Sequence, residues 1–506
     1  CVLLLGAALS AQPVSTKQPP TEKLVFYSVR AALSQPEAAY KLYLDGQDLQ
    51  ELDADVVKLQ QLEELYLSSN DLLNWEKTFD LLAQLPHLRR LDLSGCSLRS
   101  LPANVAKLRR LQSLSLFHNP ALDWEATIAL IADLPALTRL DLGDNGIENL
   151  PTNIGKLRRL EELYLWENKL INLPPALGKL RRLRLLDISS NRLRRLPPEI
   201  RHLTELQTLH LWGNRLTELP QQMGKLSQLQ LLDLSGNYLT EIPNDLLRLG
   251  QLHTLDLSNN NVLYFPTDIA RLRSLRQIHL GGNPQMNWRE LFAAGVPPQL
   301  EQLSLENNDL RQLPVTLTEC KTLRELNLSS NSRLDWADAF RILARVPNLR
   351  KLQLNYNDIE TLAGEIAQLS SLTELQLHHN PRLQIASCLP TLAFLSQLQT
   401  LDLSYNQLQT LPAEIAQLAQ LQTLNLSANP DIQWAAAFSA LKNLPRLHTL
   451  ILSSNGLDSL PKEIEELRHL RQLHLWMNNI QYNSPAHQQI LQHLPHTQLI
   501  YVPDFF

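Results

Sequence analysis

Aromatic side chains and carboxylates recur at matching places in this 506-residue chain, in a combination suited to recognition. Phe117 with His118, Tyr164 with Trp166, and His210 with Trp212 stand in alternate sequence blocks, each between or just after the two leucines of a Leu-x-Leu triplet. Asp141, Asp187, Asp233 and Asp256 stand between and beyond them. Exposed aromatics bring a large contact area at small rotamer cost and dominate interface hot spots. With carboxylates beside them they suit a protein surface, a basic peptide or a sugar. Tyr356, His378, His379 and Tyr405 form a second group of the same kind. Signatures of catalysis do not accompany either group: there is no Gly-rich phosphate loop, zinc-ligand spacing or Gly-x-Ser-x-Gly elbow in the sequence. His378-His379 reads as a solvated pair in a turn. No metal and no cofactor are expected, and the chain reads as a non-enzyme.

The elements that must carry these residues follow from a repeat. A Leu-x-x-Leu-x-Leu-x-x-Asn block returns nineteen times, from Ala39 to Leu470, mostly in steps of 23 residues. Leu160, Leu163, Leu165 and Asn168 reappear as Leu183, Leu186, Ile188 and Asn191, then as Leu206, Leu209, Leu211 and Asn214. Such a period marks a solenoid, in which one unit cannot bury its apolar edge alone. The alternation Leu163-Tyr164-Leu165 puts two leucines on one face of a short strand and Tyr164 on the other. Since every unit runs the same way, the strands must be parallel. The segment Leu173-Pro174-Pro175-Ala176-Leu177 then predicts a short helical or 3-10 turn. The Asn column predicts buried amides that satisfy the backbone where the chain turns out of each strand. Trp75, Trp124, Trp288, Trp336 and Trp434 each fall 13 residues after the first leucine of a longer unit. Their fixed register with the leucines makes them cover for the wider convex side, with Asp or Asn before the Trp as a helix cap.

The unit Leu-x-x-Leu-x-Leu-x-x-Asn-x-Leu-x-x-Leu-Pro-x-x-Ile-x-x-Leu resembles the leucine-rich repeat superfamily, most plainly over Leu160 to Leu180 and Leu398 to Leu418. The Leu-Pro form is similar to bacterial repeats and to those of intracellular Ras-group scaffolds. The resemblance implies an α/β solenoid, a curved horseshoe of about nineteen repeats. A parallel sheet would line its concave face, with helical or 3-10 segments on the convex side. Binding a partner by the concave face is the usual use of that fold, though fold alone licenses only an analogy.

The repeats occupy residues 39–498, leaving little chain for the catalytic domains that follow such repeats in some relatives. Val2 to Leu9, followed by Ser10-Ala11-Gln12, reads as the end of a signal peptide, so residues 1–11 are taken as its remnant. The run is too short to span a membrane. Residues 12–23 read as a linker, 24–38 as an N-terminal helical cap, and 485–506 as a C-terminal cap of helix and closing strand. A cap is needed because the first repeat would otherwise expose its core and a strand edge. The remaining cysteines, Cys96, Cys320 and Cys388, are scattered and give no disulfide framework. An export signal without cysteine-rich flanks points to a secreted or envelope protein of a bacterium; without that signal the chain would be cytoplasmic, and the resemblance would then imply an intracellular Ras-type signalling scaffold.

Net charge is −5, but Leu88 to Glu205 holds 19 Lys and Arg against 13 Asp and Glu. Lys107, Arg109 and Arg110 recur as Lys156, Arg158 and Arg159, and again as Lys179, Arg181 and Arg182. Together with Arg192 to Arg195 they predict a basic stripe where the convex segment returns to the strand, open to an acidic partner or a membrane surface. No recognition motif accompanies the charge, so nucleic acid is not expected. The partner is expected to be a protein, with a glycan as the alternative, and the chain to be a monomer without a transmembrane segment.

Overall fold

A computed structural model describes residues 23–292 and 295–501. The signal-peptide remnant, most of the linker and the last five residues of the C-terminal cap lie outside the described residues. The chain divides after Asn168 into two compact units.

In the first unit the Leu-x-Leu triplets after the first repeat begin on three-residue strands, Glu64–Tyr66, Arg90–Asp92, Ser113–Ser115, Arg139–Asp141 and Glu162–Tyr164. All pair in parallel and in register, so that Leu65, Leu91, Leu114, Leu140 and Leu163 stand in one row. Each of these leucines is almost wholly buried. Leaving one such side chain exposed would forgo about 2 kcal/mol, and stacking repeat on repeat is what buries it.

The second unit repeats this arrangement from Leu185–Asp187 to Gln498–Ile500. Its in-register row begins Leu186, Leu209, Leu232, Leu255 and Ile278. Between strands the 23-residue repeats place 3-10 segments such as Pro175–Lys179 and Pro198–His202. The longer repeats have room for α-helices: Trp75–Leu82 and Trp124–Ile131 in the first unit, Trp336–Leu343 and Trp434–Leu441 in the second. The tryptophans open these helices and pack back on the core. Trp336 meets Phe340 at 5.7 Å and Trp434 meets Phe438 at 5.8 Å.

The Asn column is a hydrogen-bond ladder. Asn331 is fully buried. Its Oδ1 accepts from the Asn308 and Leu310 N–H groups, both at 3.1 Å, and its Nδ2 donates to Leu305 O at 2.9 Å and Leu328 O at 3.1 Å. Backbone groups freed by the turn are thereby satisfied from the next repeat. The turn also drives the residue before each Asn into the left-handed region, as at His118 (φ 54°) and Tyr356 (φ 56°).

The N-terminal cap differs from the helix expected over 24–38. Leu24–Phe26 is a strand that pairs in parallel with Ala39–Tyr43, and helix is confined to Val29–Ala32. Leu-Val-Phe favours extended backbone, and a strand satisfies the open edge of Ala39–Tyr43 better than a helix could. At the other end, helix Pro485–His493 is followed by Gln498–Ile500, which pairs with Gln472–His474. Among the described residues no helix is long and apolar enough to cross a membrane.

Candidate binding face

Because Leu-x-Leu alternates, the residues flanking each core leucine project from the open face of the sheet. In the first unit Phe117 and Trp166 stack there, with ring centroids 5.0 Å apart and planes 20° from parallel. They are equivalent residues of alternate repeats, and strands are about 4.8 Å apart, so the rings must lean together over the intervening repeat. Gly143 makes this possible: a β-carbon there would lie 2.7 Å from Trp166 Cε2. Beside the stack, His118 Nδ1 is 2.7 Å from Asp144 Oδ2.

Tyr164 is braced by its neighbours. Its hydroxyl donates to Glu162 Oε2 at 2.9 Å and accepts from Arg139 at 2.7 Å, and the Arg139 guanidinium lies 4.3 Å from the ring centroid. Burial pushes the Tyr164 hydroxyl up to about 12, so it stays a neutral donor. Asp141 turns one oxygen to the Gly143 N–H at 2.9 Å.

In the second unit Asp187, His210, Asp233 and Asp256 form one in-register row across four strands. The aspartates are less free than the sequence suggested. Asp187 Oδ1 accepts from Ser189 N and Oγ at 3.0 and 2.6 Å, and Asp233 Oδ1 from Ser235 N and Oγ at 3.0 and 2.7 Å. Asp256 Oδ1 takes the Ser258 N–H at 2.8 Å. Each caps the turn leaving its own strand. Asp233 keeps its other oxygen 3.7 Å from His210 Nδ1. That contact raises His210 above the ordinary histidine range against the opposing effect of burial. Trp212 is 45 % exposed and stacks on no other ring among the described residues.

The second aromatic group does converge. Tyr356 stacks on His379 at 4.5 Å, and His378 meets Tyr356 edge-on at 5.0 Å and Tyr405 at 4.9 Å. His378 Nδ1 lies 2.7 Å from Ser404 Oγ, and its Nε2 lies 3.0 Å from the Tyr356 hydroxyl. Burial lowers its pKa. Tyr356, His379 and Tyr405 all sit at the left-handed position, where other repeats hold Gly213, Gly236 or Ser330. A side chain there costs roughly 1–2 kcal/mol relative to glycine.

A further cluster in the first unit was not singled out from the sequence. Tyr43 and Tyr66 stack at 4.4 Å, Tyr27 joins Tyr43 at 5.8 Å, and Lys41 lies 5.0 Å above Tyr66 and 3.2 Å from Glu64 Oε2. Tyr43 and Tyr66 are the middle residues of their Leu-x-Leu triplets, so the signal was present.

Parts of the basic stripe are already engaged. In the first unit Lys107 pairs with Asp80 at 3.0 Å, Arg110 donates to Pro86 O at 2.7 Å, and Arg159 donates to Pro135 O. Arg192, Arg194 and Arg195 are not in the stripe. They follow Asn191 and lie where the chain leaves its strand, on the opposite side of the repeat from Lys179, Arg181 and Arg182, because their register is set by the Asn and not by the next leucine.

Models of leucine-rich repeats match residues 87–108, 124–213, 204–262 and 390–430. No curated protein matches the chain. A leucine-rich repeat protein of Leptospira interrogans is 28 % identical over 94 % of this chain and all of its own, with a TM-score of 0.46. The ectodomain of the Arabidopsis thaliana receptor kinase GASSHO1/SCHENGEN3, solved with CASPARIAN STRIP INTEGRITY FACTOR 2, is 22 % identical over 91 % of this chain and 67 % of its own, at 0.48. TLR13, solved with ssRNA13, is 21 % identical over 90 % of this chain and 77 % of its own, and its TM-score of 0.52 marks a shared fold.

Proposed function

Since the chain belongs to the leucine-rich repeat superfamily, whose members are chiefly interaction scaffolds, we propose that it is a non-enzymatic module that holds a protein partner on its open sheet face. The observation that carries this reading is the Phe117–Trp166 stack over Gly143. Two large rings are pre-ordered on a polar face, so a partner that packs on them loses little rotamer freedom in either. In the first unit His118, Asp144, Asp141 and braced Tyr164 supply polar groups around the rings. In the second, Trp212, Asp187, His210, Asp233 and Asp256 offer the same chemistry. Export from a bacterium is the cellular setting we infer, from Val2 to Leu9 and the small residues after them.

A second reading, a glycan-binding surface, is favoured by the cluster of Tyr356, His378, His379 and Tyr405. Three of its rings, those of Tyr356, His379 and Tyr405, are held at left-handed backbone positions that glycine would occupy at lower cost. To test both, the chain is passed over an array of glycans and a panel of envelope and host proteins, beside Trp166→Ala/Trp212→Ala and Tyr356→Gly/Tyr405→Gly variants. Capture of a defined protein, lost with the tryptophans, supports the first reading. Glycan capture lost with the tyrosines, and no protein capture, replaces it with the second. Protein capture indifferent to both variants defeats the proposed face.

A further inference from the structure

We propose that the loops leaving two successive strands of the second unit, Leu185–Asp187 and Thr208–His210, hold a sulfated polysaccharide in an arginine-lined groove. The loops are locked side by side. Arg192 N–H donates to Leu170 O and Arg215 N–H to Leu193 O, both at 2.9 Å, so Arg192 and Arg215 occupy the same place in consecutive repeats. Leu170, Leu193 and Leu216 are fully buried. Alternation about them turns Arg192, Arg194, Arg215 and Thr217 outward. Arg195 joins them in the groove wall, and Glu218 is the one acidic residue there.

The charge of this groove is unanswered. Among the described residues none of the four guanidinium groups makes a hydrogen bond or an ion pair, whereas Arg276 and Arg333 of the same unit find carboxylates at 3.4 and 2.8 Å. Neighbouring loops are about 5 Å apart, so the cations repel one another until an anion enters. Guanidinium is weakly hydrated and presents paired donors that match two oxygens of a sulfate or phosphate group.

The remaining wall favours a sugar as the carrier of those oxyanions. Asn172 and Thr217 place neutral donors and acceptors beside the cations, where ring hydroxyls can use them. No aromatic side chain lines the groove, so nucleic-acid bases have nothing to stack on. Successive phosphates of polyphosphate share a bridging oxygen and are more closely spaced than the loops, while sulfates on adjacent sugars are separated by a ring.

The test uses the full chain and a fluorescent heparin hexasaccharide, read by anisotropy in low salt. The charge-removing variant is Arg192→Ala/Arg215→Ala, the charge-keeping one Arg192→Lys/Arg215→Lys, and the control Arg341→Ala/Arg345→Ala removes equal exposed charge from a different repeat of the same unit, outside both the groove and the basic stripe. Loss of two phosphate-like contacts predicts a Kd raised about tenfold or more in the alanine pair, with a shallower salt dependence. The lysine pair should lose about threefold because point charges cannot bind in the paired mode, and the control should change less than twofold. The exposed arginines should leave the thermal melt unchanged, and the lysine pair reads the groove even if the alanine pair is less stable. Equal weakening by the control, tighter binding of polyphosphate or single-stranded DNA, equal binding of the desulfated hexasaccharide, or no binding would overturn the proposal.

Discussion

The Trp166 indole rests on the Phe117 ring at a centroid separation of 5.0 Å, although a whole repeat intervenes between the two residues. What fills the gap is the absence of a side chain at Gly143, where a β-carbon would meet indole atoms at 2.7 and 2.8 Å. Other repeats of the first unit hold Ser68, Ser94 or Phe117 at this place, so here the glycine is tied to the pose of a neighbour and not to a turn.

Gly143→Ala should therefore push the indole off Phe117 while leaving the backbone intact, since Gly143 has no left-handed backbone requirement. The obstructed group is a half-exposed side chain that can swing away, so the stability loss should stay near the lower end of overpacking costs, about 1 kcal/mol. The indole N–H resonance of Trp166, assigned by its loss in Trp166→Phe, should move markedly. An unmoved resonance would show that the stack does not depend on the glycine.

Cys96 interrupts the amide ladder of the first unit, standing where sister repeats hold Asn70, Asn119 and Asn145. Its sulfur donates weakly to Leu67 O at 3.3 Å and faces the Asn70 N–H, which sister repeats satisfy with an amide oxygen. Burial pushes the thiol up to about 11, so it should be inert to alkylating agents in the folded chain. Cys96→Asn restores the ladder and should stabilise the first unit by about 1 kcal/mol, the net worth of one hydrogen bond. Hydrogen exchange at Asn70 would report it directly, and faster exchange in the variant would contradict the account.

The repeat was legible because its period writes the same packing problem many times over, and Leu163-Tyr164-Leu165 solves it in the same way as Leu186-Asp187-Ile188. Strand positions, the helices of the longer units and the Asn ladder all follow from local alternation and capping. What eluded the sequence was contact across repeats. Nothing in the order of residues says that Trp166 leans over Gly143, that Asp187 and Asp233 spend an oxygen each on Ser189 and Ser235, or that Tyr43 and Tyr66 stack with Lys41 beside them. The strand at Leu24–Phe26 was missed for a similar reason: it lies before the first repeat and is recruited by the edge it covers.

His210 and Asp233 make a pH-dependent pair. The Asp233 contact raises the histidine, so its contribution is complete below the unfolded value near 6.5 and is lost as pH rises through the higher folded value. Burial opposes ionisation of Asp233, yet His210 and Ser235 bring it below the ordinary carboxylate range. Its contribution is present above about 3.9 and disappears as pH falls through the lower folded value. The second unit should thus gain from this pair chiefly between about pH 4 and 6.5. Titration of His210 by NMR should give a midpoint above 6.5 that falls in Asp233→Asn. His378, lowered by burial, should titrate below the ordinary value in the same experiment. A common midpoint for both would refute the pairing.

The helices of the longer repeats offer a test of local design. Asp335 accepts the Asp338 N–H at 3.1 Å and caps Trp336–Leu343, whereas Gln433 makes no such bond at the start of Trp434–Leu441. Glutamine is too long to fold back on the first turn, and an aspartate there would also answer the positive end of the helix. Gln433→Asp should stabilise its helix by about 0.5–1 kcal/mol, and Asp335→Ala should cost about 1 kcal/mol. Because a solenoid responds repeat by repeat, the effect should be read locally, by amide exchange at Phe438 and Phe340. Protection that rises in the first variant and falls in the second is the expected pair of results; equal protection in all three chains would mean that packing of Trp434 on Phe438, not capping, holds these helices.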